Sequence, residues 1–231
     1  MTSPKRIGVL TIGQTPREDL LALLWEPGDS YRFEVRGALD GLSEPELAVA
    51  LQARVERQSQ RYPLVTQLSD STHVTIEEST LIPLIQDKLE ELDGLGVAVH
   101  ILLCAGPFEE LVSRAPLIRP FRLGSRTMAA FGFEKIAVVV PTNNQEEPAR
   151  LKWLKAGFEP VVWSLERIDS AEQVQTFIAR MYNRESDGAE AVVFDYVGYP
   201  RSVLHAVREE ITVPVIDLGE LSVAALQSLI G

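Results

Sequence analysis

The chain has 231 residues, enough for one large α/β domain or two small ones, and an apolar share of 45% that supports a sizeable core. A formal net charge of −11 leaves no basic stripe to displace counterions from phosphates, which excludes a dedicated nucleic-acid binder but not a small anion held by local positive potential. One cysteine and three histidines without ligand spacing (His73, His100 and His205) exclude a disulfide framework and a cysteine zinc site, so a metal is not expected.

The start, MTSPKR, lacks the apolar region of a signal peptide, and the longest apolar stretch, VAVHILLCA, is too short to span a bilayer. The expected compartment is the cytoplasm. The first predicted strand, Ile7 to Ile12, runs into the polar turn GQTPR, with Pro16 suited to the first turn of a helix. SEPELAVALQARVERQSQ then reads as a helix, acidic first and basic later. In YPLVTQLSDSTHVTI two alternating runs flank Ser69-Asp70-Ser71-Thr72, the pattern of a short antiparallel hairpin. A helix led by Ser79 stops near Gly94 and feeds the strand Val97 to Leu103.

The later half repeats the alternation. Strands are predicted at Ile136 to Val140, Ala191 to Phe194 and Val213 to Ile216. A helix capped by Ser170 runs toward Gly188, and ELSVAALQSLIG closes the chain as a further helix. Continuous apolar runs of this kind suit strands buried on both faces of a mainly parallel sheet. The fold class is therefore α/β.

The halves echo one another. RIGVLTIGQ ends in Thr11-Ile12-Gly13-Gln14, and KIAVVVPTNNQ ends in Thr142-Asn143-Asn144-Gln145. ILLCAGPF matches VVFDYVGYP, setting Cys104 against Tyr196 and Gly106 against Gly198. We read two pseudo-symmetric Rossmann-like halves. Residues 1–119 form the first, carrying the inserted helix and hairpin and regaining the closing helix 218–231; residues 120–217 form the second. Both sheets are expected to point their C-terminal strand ends into one cleft, where open α/β sheets bind ligands.

Candidate chemistry clusters at those strand ends. Thr11, Gln14 and Arg17 offer a hydroxyl, an amide and a guanidinium to a carboxylate or phosphate, and Thr142 and Asn143 offer matching contacts. Cys104, exposed by the small residues Ala105 and Gly106, is either a functional thiol or a small buried hydrophobe. Asp195, Tyr196, Gly198 and Tyr199 stand at the equivalent edge, where a carboxylate and a phenol can bind or protonate a ligand, or simply cap and pack. His100 reads as a core histidine and His205 as a helix-surface one. No phosphate loop, dinucleotide fingerprint or nucleophile elbow is present.

LTIGQTPR at 10–17, LLCAGPF at 102–108 and FDYVGYP at 194–200 resemble the AroM family, within the aspartate/glutamate/hydantoin racemase-like superfamily. The resemblance covers nearly the whole chain and implies cofactor-independent chemistry at carbon beside a carboxylate. In such racemases two thiols flank that carbon, one taking the proton and the other returning it. Here Ala105 replaces the family's threonine and Tyr196 its second cysteine, so two-thiol exchange is absent. Single-thiol chemistry remains: decarboxylation with protonation, or addition–elimination isomerisation. The expected function is a racemase-like or isomerase/lyase-like enzyme acting on a small carboxylic acid, with Cys104 and Tyr196 catalytic. The alternative is a non-catalytic binder of a small carboxylate or other anion. Neither nucleic acid nor membrane is an expected partner, and homo-oligomerisation is left open.

Overall fold

The structure, a computed structural model, describes residues 4–25, 30–52, 62–165, 175–179 and 188–230. The chain divides into two compact units, Met1–Pro120 with Ser222–Gly231 and Phe121–Leu221.

The first unit holds a four-stranded sheet of β1 (Lys5–Thr11), β2 (Tyr31–Gly37), β5 (Val99–Leu102) and β6 (Leu117–Ile118), in the order β2-β1-β5-β6 with every pairing parallel. The central strands β1 and β5 are the apolar runs predicted above. Strand β2, YRFEVRG, was not anticipated: its charged residues interrupt the apolar run, as an edge strand at the end of the sheet allows. The predicted hairpin forms, with β3 (Pro63–Gln67) antiparallel to β4 (His73–Glu77).

Helix Glu78–Gly94 buries Leu81, Ile85, Leu89 and Leu92, one face at helical spacing. These join Leu10, Leu102, Ile76 and Leu64 in one apolar cluster. Helix Glu44–Gln52 ends at the last described residue of that segment, so the basic part of the predicted helix lies outside the described residues.

The second unit repeats the architecture. Strands β7 (Lys135–Val140), β8 (Glu159–Ser164), β9 (Ala191–Phe194) and β10 (Val215–Asp217) form a parallel sheet in the order β10-β9-β7-β8. Numbered within its own four-stranded sheet and read from the appropriate edge, each sheet runs second, first, third, fourth. Val139, Val192 and Phe194 pack with Val203, Leu204 and Val207 of helix Arg201–Glu210. The predicted Ser170 helix falls mostly outside the described residues, of which 175–179 are helical.

The closing helix, Leu218–Ile230, crosses the unit boundary. Its C-terminal end is tied to the first sheet, where the Tyr31 hydroxyl donates to the Ile230 carbonyl. Gly124 of helix Pro120–Ala130 meets its start: a Cβ there would lie 2.2 Å from Leu218 Cδ2, so no larger residue fits without a shift.

Candidate functional site

Parallel strands all end on one edge, so each sheet gathers its strand-end loops together. In the first unit Leu10 of β1 pairs with Leu102 of β5, which brings Thr11 and Cys104 to the same sheet edge. In the second, Val139 pairs with Phe194. Matched at these pairs, Cys104 and Tyr196 each stand two residues beyond the ladder, and Gly106 and Gly198 follow in step. Thr11 does not match Thr142 in this register; Gly13 does. The sequence echo of those threonines is therefore a likeness of loop composition and not of strand position.

The loop after β1 is a polar knot. Thr15 donates from its N–H to Asp40 Oδ1 at 2.8 Å and from its hydroxyl to Asp40 Oδ2 at 3.0 Å, while the Gly37 N–H reaches Asp40 Oδ2 at 2.7 Å. Gln14 bridges to the hairpin, its N–H to the Gln67 carbonyl and its Oε1 accepting from the Ser69 N–H. Gly13 lies against β3 so closely that a Cβ would sit 2.3 Å from the Gln67 carbonyl oxygen. Only glycine fits.

Arg17 is buried. Its Nε and Nη2 grip Asp19 at 2.8 and 2.6 Å, and Nη1 reaches Thr66 Oγ1 at 3.4 Å. The expected helix start differs: the helix is only Glu18–Leu21, Arg17 is its N-cap, and Pro16 precedes it. The expected helix-terminus donors are therefore not those of a long helix. The Thr11 hydroxyl is fully buried without a protein hydrogen-bond partner.

Cys104 is 7% exposed and joins the first unit's apolar cluster. The loop that follows is pinned twice. The Phe108 N–H donates to Glu78 Oε1 at 2.8 Å, and Arg119 Nη1 donates to the Phe108 and Glu109 carbonyls at 3.0 and 3.2 Å. A Cβ on Gly106 would approach the Phe108 ring to 2.5 Å, so a larger residue there would have to push that buried ring aside. Glu78 and Arg119 were not anticipated, because single charges at a helix start and a strand end form no motif.

In the second unit Thr142 turns inward on its own loop, bonding Asn144 and Gln145 at 2.5 and 3.1 Å, and Asn143 accepts from the Ser164 hydroxyl. Asp195 is enclosed: its oxygens accept from Lys152 Nζ at 2.7 Å and Trp153 Nε1 at 2.8 Å. Its carboxylate thus serves the helix Glu146–Lys155, with Lys152 also lying 4.4 Å over the Phe121 ring. Tyr196, half-buried, meets Tyr199 edge-on at 5.2 Å, and Tyr199 meets Phe194 in the same way at 5.0 Å. Gly198 has φ +115°, a conformation that favours glycine.

Asp217, absent from the sequence-derived set, ends β10 at this same edge. Its Oδ1 accepts from the Glu220 N–H at 2.8 Å, its Oδ2 is buried without a protein partner, and burial pushes its carboxyl up to about 6. The signal for it was the acidic residue directly between the run VPVI and a helix.

Elsewhere His100 is a core residue. It is fully buried, with Nε2 2.9 Å from Asp93, and Gly8 leaves room for its ring. His205 faces solvent beside Glu209. Among the described residues no group of three His, Cys, Asp or Glu side chains is placed to hold a metal, and no helix is long and apolar enough to cross a membrane.

The family model described as AroM protein matches residues 7–229. No curated protein matches the sequence. Among solved structures, the chain is similar to an allantoin racemase from Klebsiella pneumoniae, with 18% identity, a TM-score of 0.60, and 98% of this chain and 87% of that one covered. It is similar to the maleate isomerase Iso from Pseudomonas putida S16, with 16% identity, a TM-score of 0.59, and 97% and 92% covered. It is also similar to an unliganded arylmalonate decarboxylase, with 14% identity, a TM-score of 0.60, and 98% and 93% covered. At these identities the likeness is one of fold.

Proposed function

The chain belongs to the AroM family, and from that premise we propose that it is a cofactor-independent, racemase-like or isomerase/lyase-like enzyme acting at the carbon beside a carboxylate of a small acid. The observation that carries this reading is Cys104, the chain's one thiol, on a pinned loop at the end of a central parallel strand. A thiol there can take or deliver a proton at carbon, provided that the carbon lies within hydrogen-bonding reach. Arg17 and Thr11 would hold the carboxylate, the guanidinium supplying charge and the buried hydroxyl a donor. Ala105 and Gly106 would present backbone to it, with Gln14, Thr142, Asn143 and the Gly198 turn as further contacts. Tyr196 would be the second proton carrier. Asp195 would act indirectly, by fixing the backbone that carries Tyr196.

A phenol with an ordinary pKa of about 10 is a weaker acid–base partner than a thiol near 8.5, which favours one-way protonation over racemisation. Fold relatives that include a racemase, an isomerase and a decarboxylase are consistent with that range of chemistry. The second reading, a non-catalytic binder of a small carboxylate, is favoured by the burial of Cys104 within the apolar cluster. The expected compartment remains the cytoplasm and the expected partner a small carboxylic acid.

The test is deuterium incorporation at the α-carbon of small carboxylic acids, comparing the parent with Cys104→Ser. Exchange that the variant loses is the expected result. Exchange that persists removes Cys104 as the base. No exchange with any acid, together with a thiol alkylating with an ordinary pKa of about 8.5, leaves the binder reading.

A further inference from the structure

Two buried polar atoms at the edge of the second sheet have no protein partner, the Tyr199 hydroxyl and Asp217 Oδ2. Both side chains are nearly inaccessible, and both sit on Phe194: Asp217 pairs with it in the strand ladder and Tyr199 meets its ring edge-on at 5.0 Å. Leaving such a group unpaired costs about 1–3 kcal/mol, so two together need an explanation beyond packing. The neighbouring charges do not supply one. Asp195 is neutralised by Lys152, and Arg208 is held by Glu220 at 2.6 Å. Glu220 gives Asp217 only its N–H, to the other oxygen. The surroundings are a strand end, the Asp195–Pro200 loop and the start of a helix, and Val197 lies so close to Gly219 that a Cβ there would meet it at 3.4 Å.

We propose that Asp217 and Tyr199 form a polar subsite for an uncharged ligand group carrying an N–H donor beside an acceptor, as a primary amide or ureide does. The inference rests on the reading of the protein as one that takes a small carboxylic acid, and it specifies that acid's second functional group. The chemistry selects among candidates. A second carboxylate has only acceptors and would face Asp217 with like charge. An ammonium would satisfy Asp217 but offer no acceptor to the tyrosine hydroxyl. An amide satisfies both, accepting from Tyr199 and donating to Asp217 Oδ2. Burial holds the Tyr199 hydroxyl well above its ordinary range, which keeps it a donor.

Calorimetric titration with three matched acids tests this: succinamate, succinate and β-alanine. Succinamate is expected to bind about tenfold or more tighter than either of the others. Asp217→Asn keeps an oxygen for the Glu220 N–H, so the helix cap survives, and it should abolish the preference over succinate. Tyr199→Phe should weaken succinamate selectively. Equal binding of the three acids in the parent, or a preference unchanged by Asp217→Asn, overturns the subsite while leaving the carboxylate reading in place. Binding of none overturns both. A crystal structure with succinamate in which only a water bridges Asp217 and Tyr199 also overturns it.

Discussion

Arg17 is buried, yet it already carries a counter-ion, and that counter-ion stands half in solvent. The Arg17 side chain is 6% exposed and that of Asp19 54%. The hydrogen bond from Arg17 holds the Asp19 carboxyl below its ordinary range. A desolvated guanidinium cannot be left bare cheaply, and a ligand carboxylate binding there competes with Asp19 for its charge. Replacing Arg17 with alanine is expected to weaken binding of a small carboxylate by about 1–3 kcal/mol, measured by calorimetry. Asp19→Asn should do the opposite, because it removes the internal competitor and keeps the shape. A variant that binds no tighter than the parent would take Arg17 out of the site. Of these two residues only Arg17 was legible in sequence. Asp19 reads as an ordinary acidic residue in a helix's first turn, and its grip on the guanidinium two residues earlier depends on a helix of a single turn.

The helix Glu146–Lys155 shows how an element positions a strand end it does not belong to. It sends Lys152 and Trp153 to the two oxygens of Asp195, and Trp153 packs edge-on against Phe121 and Phe158. Lys152→Met is expected to destabilise the protein by about 3–5 kcal/mol in urea unfolding, since it strands a buried carboxylate. Adding Asp195→Leu to it should recover much of that loss if the pair serves packing and placement. A single variant as stable as the parent would show that solvent reaches Asp195. The long buried elements were legible because unbroken apolar runs report burial directly: β1, β5, β7 and β9 stand where they were expected. The edge strand β2 was not, because with Arg32, Glu34 and Arg36 it reads as a solvated segment until β1 supplies its partner. The same limit applies to Asp195. Sequence places a carboxylate at a strand end but does not show that a helix 42 residues earlier in the chain already occupies it.

For the molecule as a whole, the pH dependence of stability should show two limbs of opposite sign. Several carboxyls are held below their ordinary values: Asp19 and Glu91 by hydrogen bonds to basic side chains, and Asp93 by N–H groups and His100 despite its burial. Their contribution is complete above about pH 5 and is lost as the pH falls through their lowered values. Asp217 works the other way. Burial raises its carboxyl to about 6, with Glu220 adding to the shift and the Glu220 N–H and Arg208 opposing it. The folded state therefore binds a proton that the unfolded state gives up between about pH 4 and 6, and stability falls as the pH rises through that interval. The single-group effect is on the order of 2–3 kcal/mol. The net charge of −11 pulls in the same direction, because self-repulsion also grows as carboxyls ionise. Asp217→Asn separates the two contributions. It should flatten the slope between pH 4 and 6.5 while leaving the acid limb below pH 4 in place, read as urea midpoints across pH. A slope that survives the substitution would assign the effect to net charge, and would show that Asp217 ionises in the folded protein as freely as it does in the unfolded chain.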